Sequence, residues 1–307
     1  MEFSNHVAAC RPELYRFDQN QPRPAWQIFT DVAITTVTFN RLEHTKRLIN
    51  SLYHKTQMPF TLYVFDQASD DGTAEYLGEL RRIRNNVIII RFPKNIGKAR
   101  AFLHAQSEVR GDLFVHFDND IEILSNYWLV HLLKAYYAYF LGTGACEVAL
   151  GLRMLNQEEY GFRYATTIVN YRIPSAQNAL PRTSYSSTSH DSQEREYLLD
   201  ERVCLGLTHF LCGGAWSIPL TYFRRINWKD FYPIGIGGDD QFISQECARL
   251  GIQLAYIENG PLCYHHDWPY SDEKLELYAR LKQERMVTDW PYLKWKAKDV
   301  MRRWLRR

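Results

Sequence analysis

From residue 31 onward, short apolar runs alternate with amphipathic stretches. DVAITTVTFN (31–40) carries a β-branched run from Val32 to Phe39 and reads as a buried strand. RLEHTKRLINSLYHKT (41–56) follows with Leu42, Leu48, Ile49 and Leu52 at helical spacing. FTLYVFDQAS (60–69) is a second apolar run that ends in polar residues. DDGTAEYLGELRRIR (70–84) reads as a second helix with Asp70 or Asp71 as its cap. NVIIIRF (86–92) is a third strand, NIGKARAFLHAQSEV (95–109) a turn feeding a third helix, and DLFVHFDND (112–120) a fourth strand ending in acids. Such alternation predicts right-handed βαβ units, an α/β fold and a mostly parallel sheet.

The second half is less regular. Residues 153–200 are rich in Tyr, Ser and Thr, including RTSYSSTSHDSQERE (182–196), and lack a clear period. A stretch of that kind predicts a functional lid or a disordered segment. THFLCGGAWSIP (208–219) reads as a strand with a Gly-Gly break. DDQFISQECARLG (239–251) reads as a helix capped by Gly251, and IQLAYI (252–257) and GPLCYHHDW (260–268) as strands. The expected layout is an N-terminal arm over 1–28, one domain over 29–270 and a basic helical tail over 271–307, with no internal repeat.

Composition narrows the classes. The chain of 307 residues is 46% hydrophobic, enough for a sizeable core, and its formal net charge of +2 gives no general reason to bind nucleic acid. The 20 Tyr and 8 Trp suit stacking on sugar rings as well as ordinary packing. The cysteines at 10, 146, 204, 212, 247 and 263 form no CxxC pair, which predicts reduced thiols. The first residues lack an apolar signal core, and no apolar stretch is long enough to span a bilayer. The expectation is a cytoplasmic protein, either soluble or peripheral on the inner membrane face. The tail KWKAKDVMRRWLRR (294–307), with Trp295 and Trp304 among basic residues, suits an anionic membrane surface, a nucleic acid backbone or simple solvation.

The chemistry-bearing residues gather where the predicted strands end: Thr38-Phe39-Asn40, Asp66-Gln67 and Asp118-Asn119-Asp120. Ligands of open α/β sheets sit at those carboxyl ends. If the strand extends through HFDND (116–120), Asp118 and Asp120 point the same way and can converge on one Mn²⁺ or Mg²⁺. The same residues also suit an ordinary turn.

Five motifs together resemble the inverting family 2 glycosyltransferases of the GT-A fold: FDQASDDGT (65–73), KNIGKARA (94–101), HFDND (116–120), CGGAW (212–216) and GIGGDDQF (235–242), in the family's order across residues 31–268. The resemblance implies a Rossmann-like nucleotide-binding sheet with an acceptor-side subregion. It implies metal-assisted transfer from a nucleotide-sugar, expected to carry UDP, to a glycan, lipid-linked or other hydroxyl acceptor. It assigns the donor nucleotide to Thr38, Asn40, Arg41, Asp66, Asn95, Lys98, Asp118 and Asn119, with Asp66 accepting from the uracil N3–H. It assigns the donor sugar and acceptor to Gly213, Gly214, Trp216 and Asp239, and the general base to Asp240. The metal falls to Asp120 and to a histidine of YHHD (264–267), His265 or His266.

Two departures stand out. Asp239 occupies a position where the family more often has Glu, and Gln67-Ala68 replaces a usual Asn-Gly. The acids at 239–240 also read as a pair beside a helix N-terminus, and His265-His266 as a packing pair. The competing functions are a nucleotidyltransferase that makes a nucleotide-sugar, a sugar-binding scaffold without activity, and a DNA-modifying sugar transferase. TFNRLEH (38–44) lacks the glycine-rich loop expected of the first, and the intact acids Asp118, Asp120 and Asp240 argue against the second.

Overall fold

The computed structural model describes residues 23–157, 165–178, 200–231 and 239–267. Most of the expected arm, the 182–196 stretch, the glycines of GIGG (235–238) and the basic tail lie outside the described residues.

The first half follows the predicted alternation: β1 (Val32–Thr38), α1 (Leu42–Lys55), β2 (Thr61–Asp66), α2 (Thr73–Ile83), β3 (Val87–Arg91), α3 (Lys98–Glu108) and β4 (Leu113–Phe117). The second half contains β5 (Ile121–Ile123), α4 (Trp128–Thr143), β6 (Val148–Gly151), β7 (Arg153–Met154), β8 (Ala165–Arg172) and β9 (Arg202–Thr208). It continues with β10 (Ala215–Pro219), the single turn α5 (Leu220–Phe223), α6 (Asp239–Arg249), β11 (Gln253–Ile257) and β12 (Leu262–His265). Among the described residues, nine strands form one sheet in the order β3-β2-β1-β4-β10-β6-β11-β9-β8.

The expected parallel sheet holds for β1 to β4, where β1 pairs in parallel with both β2 and β4. Beyond β4 the sheet is mixed. β10 runs antiparallel to β4 and β6, and β9 runs antiparallel to β8 and β11. The physical reason is the loss of strict strand–helix alternation after β4, since antiparallel neighbours need no helical crossover. Within the polar region 153–200, β8 forms an edge strand.

Adjacent residues of β1 serve opposite faces, as a pleated strand requires. Val32 and Ile34 join a core with α1 and α4. Ala33 joins another with α3, α6 and the aromatic group Phe102, Phe114, Trp216 and Phe223. Helix α4 is apolar nearly all round, so it carries no amphipathic stripe, and it is correspondingly buried. Trp128 meets Phe117 edge-on at 5.2 Å, and Tyr136 meets Phe29 at 5.1 Å. Trp26 is fully buried, so the last residues of the lead-in pack with the domain. Among the described residues no helix is long and apolar enough to cross a membrane. The described cysteines are free thiols.

Two features place the site. The strand order reverses between β1 and β4, which opens a crevice at their carboxyl ends. A small sheet, β5-β12-β7, then sets His265 opposite Ile121, the residue after Asp120.

Candidate active site

At the end of β1 and β2, short polar side chains close the crevice floor. Thr38 is buried, and its hydroxyl lies 2.8 Å from that of Thr45 and 3.2 Å from Asn119 Nδ2. Asn40 and Arg41 both adopt left-handed backbone (φ 55° and 67°), which turns the chain sharply before α1. Asn40 is fixed at both ends: its N–H donates to Ser69 Oγ at 2.8 Å and its side-chain oxygen accepts from Asp70 N–H at 2.9 Å. Asp66, paired in register with Thr38, is fully buried. Its Oδ1 accepts from Ser69 N–H at 3.0 Å, while Oδ2 accepts no hydrogen bond and lies 3.5 Å from Arg91 Nε.

Asp71 links the two neighbouring helices. One oxygen accepts from Leu42 N–H at the start of α1, and the other from the N–H and hydroxyl of Thr73 at the start of α2. Gln67 Oε1 accepts from the N–H groups of Ile96 and Gly97 and so fastens the loop after β2 to the turn before α3. The unusual glutamine thus has a mechanical role. Asn95 supports the same turn through Gly97 N–H at 2.9 Å.

β4 ends at Phe117, and Ile121 N–H bonds back to the carbonyl of Asp118 at 3.1 Å. Residues 118–120 therefore turn, the extended-strand rule does not apply, and Asp118 and Asp120 meet different cations. Lys98 Nζ lies 2.6 Å from Asp118 Oδ1 and 2.6 Å from Asp239 Oδ2. The same Asp118 oxygen lies 3.0 Å from Nε2 of the buried His116. Burial lowers the His116 pKa, so the neutral ring donates to Asp118. Burial alone would raise Asp118, but the Lys98 charge and the His116 hydrogen bond outweigh it and hold the carboxyl well below its usual range. Lys98 moves the other way: burial opposes its charge, yet the two carboxylates keep its pKa well above the ordinary lysine value.

Asp240 is the second residue of α6, beside this pair. Its Oδ1 accepts from Gly213 N–H at 2.8 Å. A Cβ at Gly213 would stand 2.1 Å from that oxygen, so only glycine allows the approach. Ser244 Oγ donates to the Asp240 carbonyl at 2.7 Å and accepts from Leu211 N–H at 3.1 Å, which ties the helix start to the Cys212-Gly213-Gly214 strand approach. Burial first, and then the charge of Asp239, push the Asp240 carboxyl up to about 7. Gly251 adopts φ 73° at the far end of α6, where Ile252 N–H reaches the Cys247 carbonyl at 2.8 Å, the expected glycine cap.

Asp120 has a separate set of partners. Its Oδ2 lies 3.2 Å from His265 Nε2 and 3.1 Å from an Arg41 nitrogen, while the other Arg41 terminal nitrogen pairs with Asp267. Burial pushes Asp120 up, but the His265 hydrogen bond and Arg41 prevail and hold it at about 2. Asn156 clasps the backbone of His265 from both sides, at 2.7 and 3.1 Å.

Asp120 and His265 offer a hard oxygen and an imidazole nitrogen. Two donors each about 2.1 Å from a shared cation, near a right angle, stand about 3 Å apart. The pair is therefore spaced to suit Mn²⁺ or Mg²⁺. Among the described residues no group of three or more His, Cys, Asp or Glu is assembled as a metal cage. His266 faces elsewhere, with Nε2 2.6 Å from Glu122 Oε2.

The crevice thus gathers Thr38, Asn40, Arg41 and Asn119 on one side, and Lys98, Asp118, Asp239, Asp240 and Gly213 on the other. Gly214 accepts from Asp118 N–H through its carbonyl at 2.8 Å. Trp216 is 1% exposed and packs 5.5 Å from Phe114, so it underlies the site rather than lining it. An inward position on a buried strand gives that residue no outlet, which the CGGAW motif alone does not reveal. Sequence reasoning also overlooked His116 and Asp267, although both lie inside motifs it quoted, because neither type nor spacing distinguishes them from packing residues.

A crevice at the strand-order reversal of a mixed α/β sheet, with acids at the end of β4 and the start of α6, defines a GT-A-type nucleotide-sugar fold. The sequence profile described as Glycosyl transferase family 2 matches residues 33–222, well over half of the chain, and the chain belongs to that family. No curated protein sequence matches it.

Solved structures share the fold at low identity. The mannosyltransferase PcManGT from Pyrobaculum calidifontis, in complex with GDP-Man and Mn²⁺, aligns with a TM-score of 0.56 at 14% identity, over 85% of this chain and 64% of that one. GalNAc-T7 with UDP, GalNAc and Mn²⁺ aligns at 0.52 and 15%, over 84% and 48%. TarS 1–349 of S. aureus in complex with UDP-GlcNAc aligns at 0.50 and 16%, over 82% and 66%. The chain spans less than two thirds of each of these three proteins, and these likenesses speak for the fold.

Proposed function

We propose that this protein transfers a sugar from a nucleotide-sugar, of the UDP type, to a hydroxyl acceptor with inversion at the anomeric carbon. The observation that carries the reading is Asp240: a carboxylate held by Gly213 N–H at 2.8 Å and poised at about 7, beside the Lys98-clamped pair Asp118 and Asp239. A general base works best when its pKa lies near the working pH. Asp240 takes the proton from the acceptor hydroxyl as its oxygen attacks, Gly213 N–H fixes the position of that base, and the charge of Asp239 helps raise its pKa. The donor lies across the crevice with its diphosphate towards Asp120. Displacement from the opposite face inverts the configuration.

Asp66 Oδ2, buried without a hydrogen bond, supports the base pocket, because an acceptor of that kind is costly until an N–H reaches it. The half-exposed Arg91 borders that oxygen at 3.5 Å. Asp120 and His265 would hold a divalent ion, Mn²⁺ or Mg²⁺, which supplies charge neutralisation at the departing diphosphate. The relatives solved with Mn²⁺ support that cofactor. The domain over 29–270 would carry the reaction, and the basic tail from Lys294 would bring it to an acceptor or an anionic membrane.

Mass spectrometry of acceptor glycosylation, over a panel of UDP- and GDP-sugars with and without Mn²⁺, tests the reading. Metal-dependent transfer from one UDP-sugar, with an inverted anomeric signal by NMR, is expected. Retained configuration defeats the inverting mechanism, and full turnover in excess EDTA defeats the metal.

A further inference from the structure

We infer that Arg41 is a built-in counter-cation of the metal site, which a divalent ion must displace from Asp120. This rests on the reading that Asp120 and His265 hold the metal. The carboxylate oxygen that faces His265 Nε2 at 3.2 Å, Asp120 Oδ2, is the same oxygen that faces an Arg41 nitrogen at 3.1 Å. A cation bound to that oxygen therefore competes directly with the guanidinium. The other Arg41 terminal nitrogen pairs with Asp267, two residues beyond His265, so the side chain bridges the end of β4 and the segment after β12. Its Asn119 contact is longer, at 3.4 Å.

The electrostatics explain why such a residue is useful. Asp120 is 4% exposed. A buried carboxylate without a cation is costly. Arg41 meets that need when no metal is bound. The guanidinium is also suited to leave: its side chain is 30% exposed, it sits on the turn between β1 and α1 rather than inside a helix, and Asp267 remains as a second anchor. Lys98 also bridges two carboxylates, Asp118 and Asp239, and the imidazole beside Asp118, His116, is fully buried. The exchange keeps the charge on Asp120 compensated in both states, and it weakens metal binding because the ion must first break the Arg41 pair.

The test is direct titration of the whole protein with Mn²⁺, following the free ion by electron paramagnetic resonance, for wild type, Arg41→Met, Arg41→Ala and Asp120→Asn. Circular dichroism checks that each variant is folded. Both Arg41 variants should bind Mn²⁺ about three- to tenfold more tightly than wild type, the scale of a partly exposed ion pair, and Asp120→Asn should lose the site. Equal or weaker binding in the Arg41 variants, with wild-type binding intact and lost in Asp120→Asn, overturns the exchange but leaves the metal site standing. Absence of any Asp120-dependent binding in wild type and in both Arg41 variants overturns the metal reading and the exchange together.

Discussion

Two cations serve four carboxylates in the crevice, and they do so in different ways. Lys98 starts α3, lies 2.6 Å from both Asp118 and Asp239, and joins three rigid pieces: a helix start, a strand end and the start of α6. Arg41 sits on a left-handed turn and joins two connecting segments through Asp120 and Asp267. The first clamp lies beside Asp240, the proposed base. The second lies where a divalent ion is expected, and its partner His265 can serve either a hydrogen bond or a metal. On the proposed reading, a fixed cation stands on the base side of the site and an exchangeable one on the metal side.

The sharpest way to break that comparison is to remove each carboxylate's function. Asp120→Ala should lower metal-supported turnover by about 10²-fold or more, with the fold retained by circular dichroism, and turnover should then be indifferent to EDTA.

The two clamps should differ next in stability. Lys98→Met leaves Asp118 and Asp239 without their shared cation and should cost about 2–4 kcal/mol in urea unfolding. Arg41→Met should cost less, about 1–2 kcal/mol, because Asp120 keeps His265 at 3.2 Å and Asp267 is part-exposed. Equal losses would show that both clamps are structural.

Gly213→Ala probes the base side alone. Its Cβ would meet Asp240 Oδ1 at 2.1 Å and displace the carboxylate. Misplacing a catalytic group on that scale should lower kcat by about ten- to a hundredfold, with donor affinity little changed in isothermal titration.

The smallest effect is a pH-dependent one. Asp240 is raised from 3.8 to about 7 in the folded protein. A raised carboxyl favours folding while protonated, so its contribution is present below about pH 4 and lost as pH climbs through about 7. Asp240→Asn should therefore melt above wild type at pH 8, by about 2 °C or more, and the gap should close near pH 4. A gap of the same size at both pH values would show that Asp240 titrates normally.

The sequence makes the first half of the fold legible because its strands and helices differ in period: Val32 to Phe39 is β-branched, and Leu48, Ile49 and Leu52 repeat as a helix does. Helix α4 was missed for the opposite reason. A helix buried on all sides has no polar face, and its aromatic run gives no period to read. Antiparallel β8 and β9 are hidden by the polar, Tyr-rich composition around them. Within the site, the motif acids fell in the crevice, yet the directions of Asp118 and Asp120 did not follow from spacing, because β4 stops at Phe117 and the chain turns. Trp216 shows the same limit in reverse, since a motif position next to functional glycines proved to be core.

The central claim is that Asp240 is the base, and the turnover of Asp240→Asn at saturating donor and acceptor tests it most directly. The substitution keeps the shape and the Gly213 hydrogen bond but removes basicity. The account predicts a kcat lower by about 10²-fold or more, with donor dissociation constant unchanged. A normal kcat in a folded Asp240→Asn protein would contradict it.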